Sequence, residues 1–574
     1  MNKLISASDG GSFSVAITGS GGSGAVTTGR ILLEAIAVSG FQGLMTRSAG
    51  PQIRGGESAA MVRFGAGPVE CMGDYFHVLV GLDWLNVERF ADEIPLTANS
   101  LVLGDVSQGE VPERLLAAGA KTLLLPFKGL AGEIEGGRIN MVALGVVAAT
   151  FGLSLKSILQ GVERVLAAKG DEVVASANAC VSVGYKEQMD NEVVEPPVLE
   201  QLPNHWSLSG NEAAGLGALR GGVRFVAAYP ITPASEILEW LAPNIERLGG
   251  NLLQAEDELA SINMIIGSSF GGVPSLTATS GPGLSLMVEG LGLALVSETP
   301  LTVINVMRGG PSTGIPTKSE QSDLNIALYG LHGDAPHLVL AAISIRDCVF
   351  TTQWAVQLAE ELQTVSIVLS DQSLGQSRAI CLPPQDAGDS PGRNIEEKPV
   401  DDYRRYALTD SGISPMALPG AESGMYTADG LEHNERGTPS SMANDHRQQM
   451  DKRLRKLQQH EYGDHWAEIR GQGDTCIITW GSTAGAAFEA ALGRSVRAIA
   501  IRLLMPLAKD KLSEALRGVR RIVVVEQNHG AQLLHYLRAQ NILPVEAESL
   551  AHPGPLPVRP GEIVQLLQQS GGEL

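Results

Sequence analysis

The stretch that most limits how this chain can fold is Arg224-Phe-Val-Ala-Ala-Tyr-Pro-Ile-Thr-Pro233. The apolar run Phe225 to Ala228 has the length of a buried strand and stops at a Pro-x-x-Pro turn with Thr232 at its tip. Helical spacing begins at once, from Ala234 to Leu241. Pro230 and Pro233 fix φ at two positions and bar helix before Pro230, so the loop is stiff. A strand handing over to a helix in this way is the unit of an open α/β sheet, in which ligands bind beyond the carboxyl ends of the strands. Tyr229 and Thr232 stand at that point. A plain connection between strand and helix accounts for the same residues equally well.

The same hand-over recurs downstream. Asn251 to Ala255 reads as a strand ending at Glu256-Asp257-Glu258, with a helix from Leu259 to Ser269. Carboxylates in a first helical turn suit its positive end, which accounts for two of the three; Glu256 falls at the strand terminus, level with Thr232. Leu276 to Ser280 runs into Gly281-Pro-Gly283 and a helix to Val296, and Leu301 to Met307 into Arg308-Gly-Gly-Pro-Ser-Thr-Gly314. Thr232, Glu256, Ser280 and Arg308 thus close consecutive strands. An arginine that ends an apolar strand and opens a glycine loop suits a bidentate grip on a carboxylate, although a surface arginine closing a strand has the same sequence. Lys318, Glu320, Gln321 and Asp323 beyond it suit a subunit contact or a solvated loop.

Near the N-terminus, Phe13 to Thr18 is a strand and Ala25 to Val38 a helix, joined by Gly19-Ser-Gly-Gly-Ser-Gly24. Gly19, Gly21 and Gly24 have the Gly-x-Gly-x-x-Gly spacing, with Gly22 between them, that lets backbone N–H groups face a phosphate. A nicotinamide site calls for an acidic residue after the second strand. Arg47 stands there instead, with Arg54 and Arg63 behind it, which favours a phosphate or coenzyme A contact; a glycine turn that only lets strand and helix pack is the alternative. Strands at Met61 to Phe64, Val78 to Leu82, Ser100 to Gly104 and Thr122 to Leu125, with helices from Val142 to Phe151 and Leu155 to Ala168, predict a doubly wound sheet. Gln188 to Pro203 reads as a linker.

The 574 residues suggest about three to four domains. We expect an α/β architecture of several doubly wound parallel-sheet domains, with boundaries at 1–190, 204–385, 386–470 (an irregular connector) and 471–574. Arg447 to His460 in the connector is a charged helix with a solvated face. The last domain alternates strands at Thr475 to Thr479, Ala498 to Arg502 and Arg521 to Glu526 with helices, and His529 after Glu526-Gln-Asn528 reads as structural. A net charge of −21 argues against nucleic-acid binding. The five cysteines are too scattered for an iron–sulfur cluster or zinc site on this chain, so no metal is expected here. Met1 to Ser12 lacks an apolar leader, and the apolar run Ile139 to Leu155 is about three residues short of a bilayer span. A cytoplasmic protein with reduced thiols and no membrane partner is expected.

Tyr229-Pro-Ile-Thr-Pro233, Gln254-Ala-Glu-Asp-Glu258, Thr279-Ser-Gly-Pro-Gly283 and Arg308-Gly-Gly-Pro-Ser-Thr-Gly-Ile-Pro-Thr317 together resemble the 2-oxoacid:ferredoxin oxidoreductases. The resemblance is to the α subunit acting on 2-oxoglutarate, with a γ domain fused at its N-terminus; Gly19 to Gly24 and Gly50-Pro-Gln-Ile-Arg-Gly-Gly56 carry the γ-like part. It implies a central domain that binds the pyrimidine side of thiamine diphosphate and a C-terminal domain like that of transketolase. It implies a partner β subunit holding the diphosphate, Mg²⁺ and a [4Fe–4S] cluster. Glu256 would then activate the cofactor from a buried position, with Ser280 and Gly281 beside it, while Thr232 and Arg308 hold the 2-oxoacid carboxylate with Tyr229 and Thr313 nearby. Gly19, Gly21, Gly22, Gly24, Arg47 and Arg54 would receive coenzyme A, and electrons would pass to ferredoxin, or the reverse in a carboxylating synthase. Pyruvate or a branched-chain 2-oxoacid as substrate, a non-catalytic assembly subunit and a nicotinamide dehydrogenase are the alternatives.

Overall fold

The structure is a computed structural model that describes residues 11–50, 56–85, 87–189, 205–398 and 402–569. It divides into two compact units: Met1–Ser209 with Gln376–Pro383 and Leu556–Val564, and Gly210–Gly375 with Pro384–Pro555 and Gln565–Leu574.

The first unit is built on an eight-stranded sheet. Lys121–Leu125, Leu101–Asp105, Val78–Gly81 and Ser12–Gly19 are parallel neighbours. Ser58–Gly65 then pairs antiparallel with Ser12–Gly19 on one side and Gln42–Ala49 on the other. The doubly wound, parallel-dominated class expected from sequence holds, and Ser58–Gly65 adds antiparallel pairing within it. One correction concerns the domain boundary. Arg378–Cys381 and Trp206–Ser209, read as the ends of the central domain, extend this first sheet by antiparallel pairing beyond Gln42–Ala49. The helix Ile139–Thr150 is buried from Asn140 onward and joins the Phe13, Phe64 and Phe151 cluster, in which Phe64 and Phe151 meet edge to face at 5.4 Å. Among the described residues no helix is long and apolar enough to cross a membrane.

The second unit holds two sheets. In the larger one Asn251–Gln254, Phe225–Ala228, Ser275–Thr279, Leu301–Met307, Val365–Asp371 and Leu338–Ala341 lie side by side, all parallel, with Leu503–Met505 antiparallel at the far edge. Leu301–Met307 and Val365–Asp371 are buried along their whole length, as the centre of a sheet covered on both faces requires. The smaller sheet has five strands in the order Ala467–Gly471, Val496–Ile501, Thr475–Trp480, Arg521–Glu526 and Glu548–Ala551, the first of them antiparallel and the rest parallel.

The helix Ala443–Gln459 departs from its expected solvated face. Lys452 and Lys456, one turn apart, are buried and both donate to the fully buried Glu298 carboxylate, Lys456 at 3.0 Å. Lys452 also reaches Ser414 Oγ (2.9 Å), and Arg405 donates to Glu298 O (2.8 Å). These contacts bind the irregular segment around Arg405 and Ser414 to the turn after the helix Gly281–Val296. Burial alone would raise the Glu298 carboxyl, yet Lys452, Lys456 and Arg405 hold it well below the usual carboxylate range. Desolvation and the neighbouring cations push Lys452 down to about 7. One anion serves several cations, so removing it leaves buried charge unpaired. Glu298→Gln is expected to cost about 3–5 kcal/mol in urea unfolding at pH 7. Because the folded carboxyl titrates below the unfolded one, that contribution is full above the unfolded value and fades with acid, so the gap from the unsubstituted protein narrows as pH drops below about 4.

Candidate active site

Parallel pairing carries the ends of four strands to one sheet edge in the spatial order Gln254, Ala228, Thr279, Met307. The chain leaves Phe225–Ala228 toward the Asn251 strand on one side and leaves Ser275–Thr279 toward the Leu301 strand on the other. The connections diverge between these two strands, which opens a crevice at their carboxyl ends. The loop Tyr229–Pro233 and the N-cap Ser280 with the first turn of the helix Gly281–Val296 flank it.

Arg308 is 8% exposed and donates from Nη1 to the Thr232 carbonyl at 2.7 Å, which joins two of the residues picked out from sequence. Its Nε is buried without a hydrogen-bond partner. Desolvation pulls the guanidinium down from its ordinary pKa and the Asp323 charge pulls it back. Asp323 in turn is raised by burial, opposed by a bond from Asn305 Nδ2 at 2.9 Å and reinforced by Glu320. A Cβ on Gly281 would come 2.7 Å from Asp323 Oδ2, so the glycine is what lets the Ser280 turn approach this carboxylate. Ser280 Oγ and Asn305 Oδ1, both on fully buried residues, also lack partners. Tyr229, Glu256 and Thr313 are exposed.

The acidic triplet divides its work in a way its composition conceals. Asp257 caps the helix Glu258–Phe270 by accepting from Ala260 N at 2.6 Å. Glu256, which the resemblance makes a buried activator, is exposed, and the buried carboxylate is Glu258, 7% exposed in the first helical turn. A Cβ on Gly283 would lie 2.8 Å from Glu258 Oε1 and would also strike Thr279 Oγ1. Glu258, Thr279 and Gly283 therefore form a small cradle beside the crevice. Sequence reading passed over Glu258 because a first-turn carboxylate is explained by the helix dipole alone. Asn305 carried no signal, since it lies inside an apolar strand, and Asp323, read as part of a subunit contact or a solvated loop, is instead withdrawn from water.

In the first unit Gly19 closes its strand, and Gly22 and Gly24 adopt φ of 86° and 88°, so both need glycine. Ser20 N and Oγ donate to Asp83 Oδ2 at 2.9 and 2.8 Å, which occupies one loop amide with a carboxylate. Gly24 packs against Asn140, whose Nδ2 donates to Thr28 Oγ1 at 3.0 Å. Arg47 is exposed, and Arg54 lies outside the described residues. Arg63, grouped with them from sequence, is instead buried and bonds Ser12 Oγ and the Cys71 carbonyl, each at 3.0 Å.

Residues 216–452 match the family described as pyruvate flavodoxin/ferredoxin oxidoreductase, thiamine diP-binding, and residues 14–187 match pyruvate ferredoxin/flavodoxin oxidoreductase. The chain belongs to the 2-oxoacid:ferredoxin oxidoreductases. It is 34% identical to the 2-oxoglutarate synthase subunit KorA of Methanothermobacter marburgensis over 63% of this chain and 98% of that one. It is 33% identical to the 2-oxoacid:ferredoxin oxidoreductase subunit alpha of Saccharolobus solfataricus, over 68% of this chain but only 65% of that subunit's length. Among solved structures it is similar to the 2-oxoglutarate:ferredoxin oxidoreductase of Magnetococcus marinus with 2-oxoglutarate, coenzyme A and succinyl-CoA bound. That match has a TM-score of 0.88 at 33% identity and covers 97% of this chain and 99% of that one.

The cradle can be probed directly. Gly283→Ala has to displace Glu258 or Thr279, and should destabilise the protein by about 1–3 kcal/mol in thermal or denaturant unfolding. Gly292→Ala on the same helix, where a Cβ meets nothing within 4 Å, should be stabilising by about 0.5–1 kcal/mol.

Proposed function

We propose that this chain is the α subunit of a 2-oxoglutarate:ferredoxin oxidoreductase. The reaction is oxidative decarboxylation of 2-oxoglutarate with coenzyme A to succinyl-CoA and CO₂, run in either direction, with electrons exchanged with ferredoxin. What supports this reading is the set of buried polar groups at the carboxyl ends of neighbouring strands: Ser280 Oγ, Asn305 Oδ1 and Arg308 Nε without partners, and the buried Glu258 carboxylate beside Gly283. Buried polar groups without partners are costly to keep and are expected where a ligand completes them.

A glycine-floored cradle with a carboxylate at its side fits the aminopyrimidine of thiamine diphosphate, with Thr279, Ser280 and Gly281 around it. When bound, that cofactor supplies a carbanion and the electron sink for decarboxylation. Glu258 would accept the pyrimidine N1′ hydrogen bond and hold the ring in its proton-transferring tautomer. This role passes from Glu256 to Glu258 because it needs a carboxylate withdrawn from water, and this chain withdraws only the latter. Arg308, with a desolvated guanidinium and a free Nε, would grip the 2-oxoacid carboxylate. Thr232 lies beside it, and Tyr229 and Thr313 would line the entrance. Gly19, Gly21, Gly22, Gly24, Arg47 and Arg54 would contact coenzyme A, although Asp83 at this loop leaves fewer amides for a phosphate than the glycine spacing implies. A β subunit would supply the diphosphate site, Mg²⁺ and the [4Fe–4S] cluster, and the complex would work in the cytoplasm.

In the reconstituted complex, Glu258→Gln should lower turnover by about 10²–10⁴-fold, whereas Glu256→Gln should stay within a few-fold of the unsubstituted enzyme. An active E258Q complex removes Glu258 as the activator. The purified chain by itself should reduce no methyl viologen with 2-oxoglutarate and coenzyme A; turnover without a second subunit contradicts the division of labour. A substrate panel on the complex separates 2-oxoglutarate from pyruvate and branched-chain acids by their kcat/KM.

A further inference from the structure

The loop that begins at Arg308 is held at its far end by the five-stranded sheet of the same unit. Gln321 is fully buried. Its Nε2 donates to the Trp480 carbonyl (2.9 Å), and its Oε1 accepts from Gln527 N (2.8 Å). Its backbone N donates to the Gln527 carbonyl (2.8 Å) and its carbonyl accepts from Asn528 Nδ2 (3.3 Å). Gln527 and Trp480 stand at the carboxyl ends of two adjacent strands. Gln532 adds bonds to the Ser322 carbonyl (2.8 Å) and from Asn325 N (2.9 Å), and Glu320 Oε2 accepts from Gly554 N (3.1 Å). The clamp is itself braced: Glu526, fully buried, accepts from Leu533 N (2.8 Å), Leu534 N (3.1 Å) and Asn528 Nδ2 (2.6 Å).

A path of short-range bonds leads from this clamp back to Arg308. Gly309 N donates to the Lys318 carbonyl (3.0 Å) and Ile315 N to the Gly309 carbonyl (2.8 Å), so residues 309–318 close on themselves next to Arg308. Ser319 Oγ is tied to Asp371 Oδ1 (3.1 Å) at the end of the neighbouring strand. Without those ties a segment with glycines at 309, 310 and 314 would sample many conformations.

We propose that Gln321 is a positioning residue for Arg308, so that selection of the 2-oxoacid depends on the Glu526-Gln527-Asn528 edge of the C-terminal sheet. This inference rests on the reading of Arg308 as the carboxylate grip. A guanidinium whose carrier loop is pre-ordered spends less of its binding free energy on ordering when the substrate arrives, so loosening the clamp weakens substrate binding before it touches other steps.

The test compares Gln321→Met, which keeps length but loses the side-chain bonds to Trp480, Gln527 and Thr483, with Arg502→Gln in the reconstituted complex. Arg502 joins Asp347 (2.8 Å) away from this loop and so controls for stability alone. Gln321→Met should raise the KM for the 2-oxoacid by about 10- to 100-fold with the coenzyme A KM unchanged. In the purified chain, amide exchange should accelerate across residues 309–323 while Leu301–Met307 stays protected. Arg502→Gln should lower the melting temperature and move neither readout. Should Gln321→Met misfold, Gln532→Ala at the rim of the same clamp is expected to change both readouts in the same direction by less. Unchanged exchange across 309–323, or equal rises in both KM values, overturns the positioning role. Arg308→Lys distinguishes the two levels: if it leaves the 2-oxoacid KM untouched, the reading of Arg308 falls and the positioning role with it. If it raises that KM while Gln321→Met does not, the clamp alone is wrong.

Discussion

A parallel sheet puts the carboxyl ends of all its strands on one edge, and this constraint organises the second unit. Six strands in unbroken parallel register bring the loops after Ala228, Gln254, Thr279 and Met307 together. Thr232 and Arg308, 76 positions apart in the chain, meet only because of that register. The bond from Arg308 to the Thr232 carbonyl spans the loops on either side of the crevice. It leaves the buried Arg308 Nε without a hydrogen-bond partner, a state that folding alone does not favour.

Around that edge the protein uses two kinds of buried polar contact. The Glu298, Lys452, Lys456 and Arg405 cluster encloses its charges completely and fastens an irregular segment to the sheet domain. Such a cluster favours a single arrangement over near alternatives more than it adds net stability, since desolvation offsets much of its attraction. The Gln321 contacts are made by a neutral amide to backbone groups, and they hold a glycine-rich loop without adding a charge of their own.

Much of this was legible in the residues. Strand ends at Ala228, Thr279 and Met307 follow from apolar runs stopped by proline or glycine, and the order of strand, loop and helix gave the α/β class. Ser280 and Arg308 were recognisable because each stands where such a run ends, and Thr232 because it tips the Pro-x-x-Pro turn that follows Ala228. The mixed character of the first sheet was readable in principle from the eight residues between its two antiparallel strands, but four-residue strands such as Trp206–Ser209 and Arg378–Cys381 carry no sign of which sheet they join. Periodicity reports that a residue faces an interior, and pairing partners are set by distant chain.

Local pattern by itself determined the elements, the stiff loops and the residue types available at the sheet edge, because φ restriction, hydrophobic spacing and helix capping act over a few neighbouring residues. Tertiary structure alone decided which carboxylate of Glu256, Asp257 and Glu258 is withdrawn from water, that Lys452 and Lys456 face inward, and that Gln321 is seized by a sheet some two hundred residues away. Burial and long-range hydrogen bonding depend on what packs against a side chain, and that neighbour is chosen by the fold as a whole.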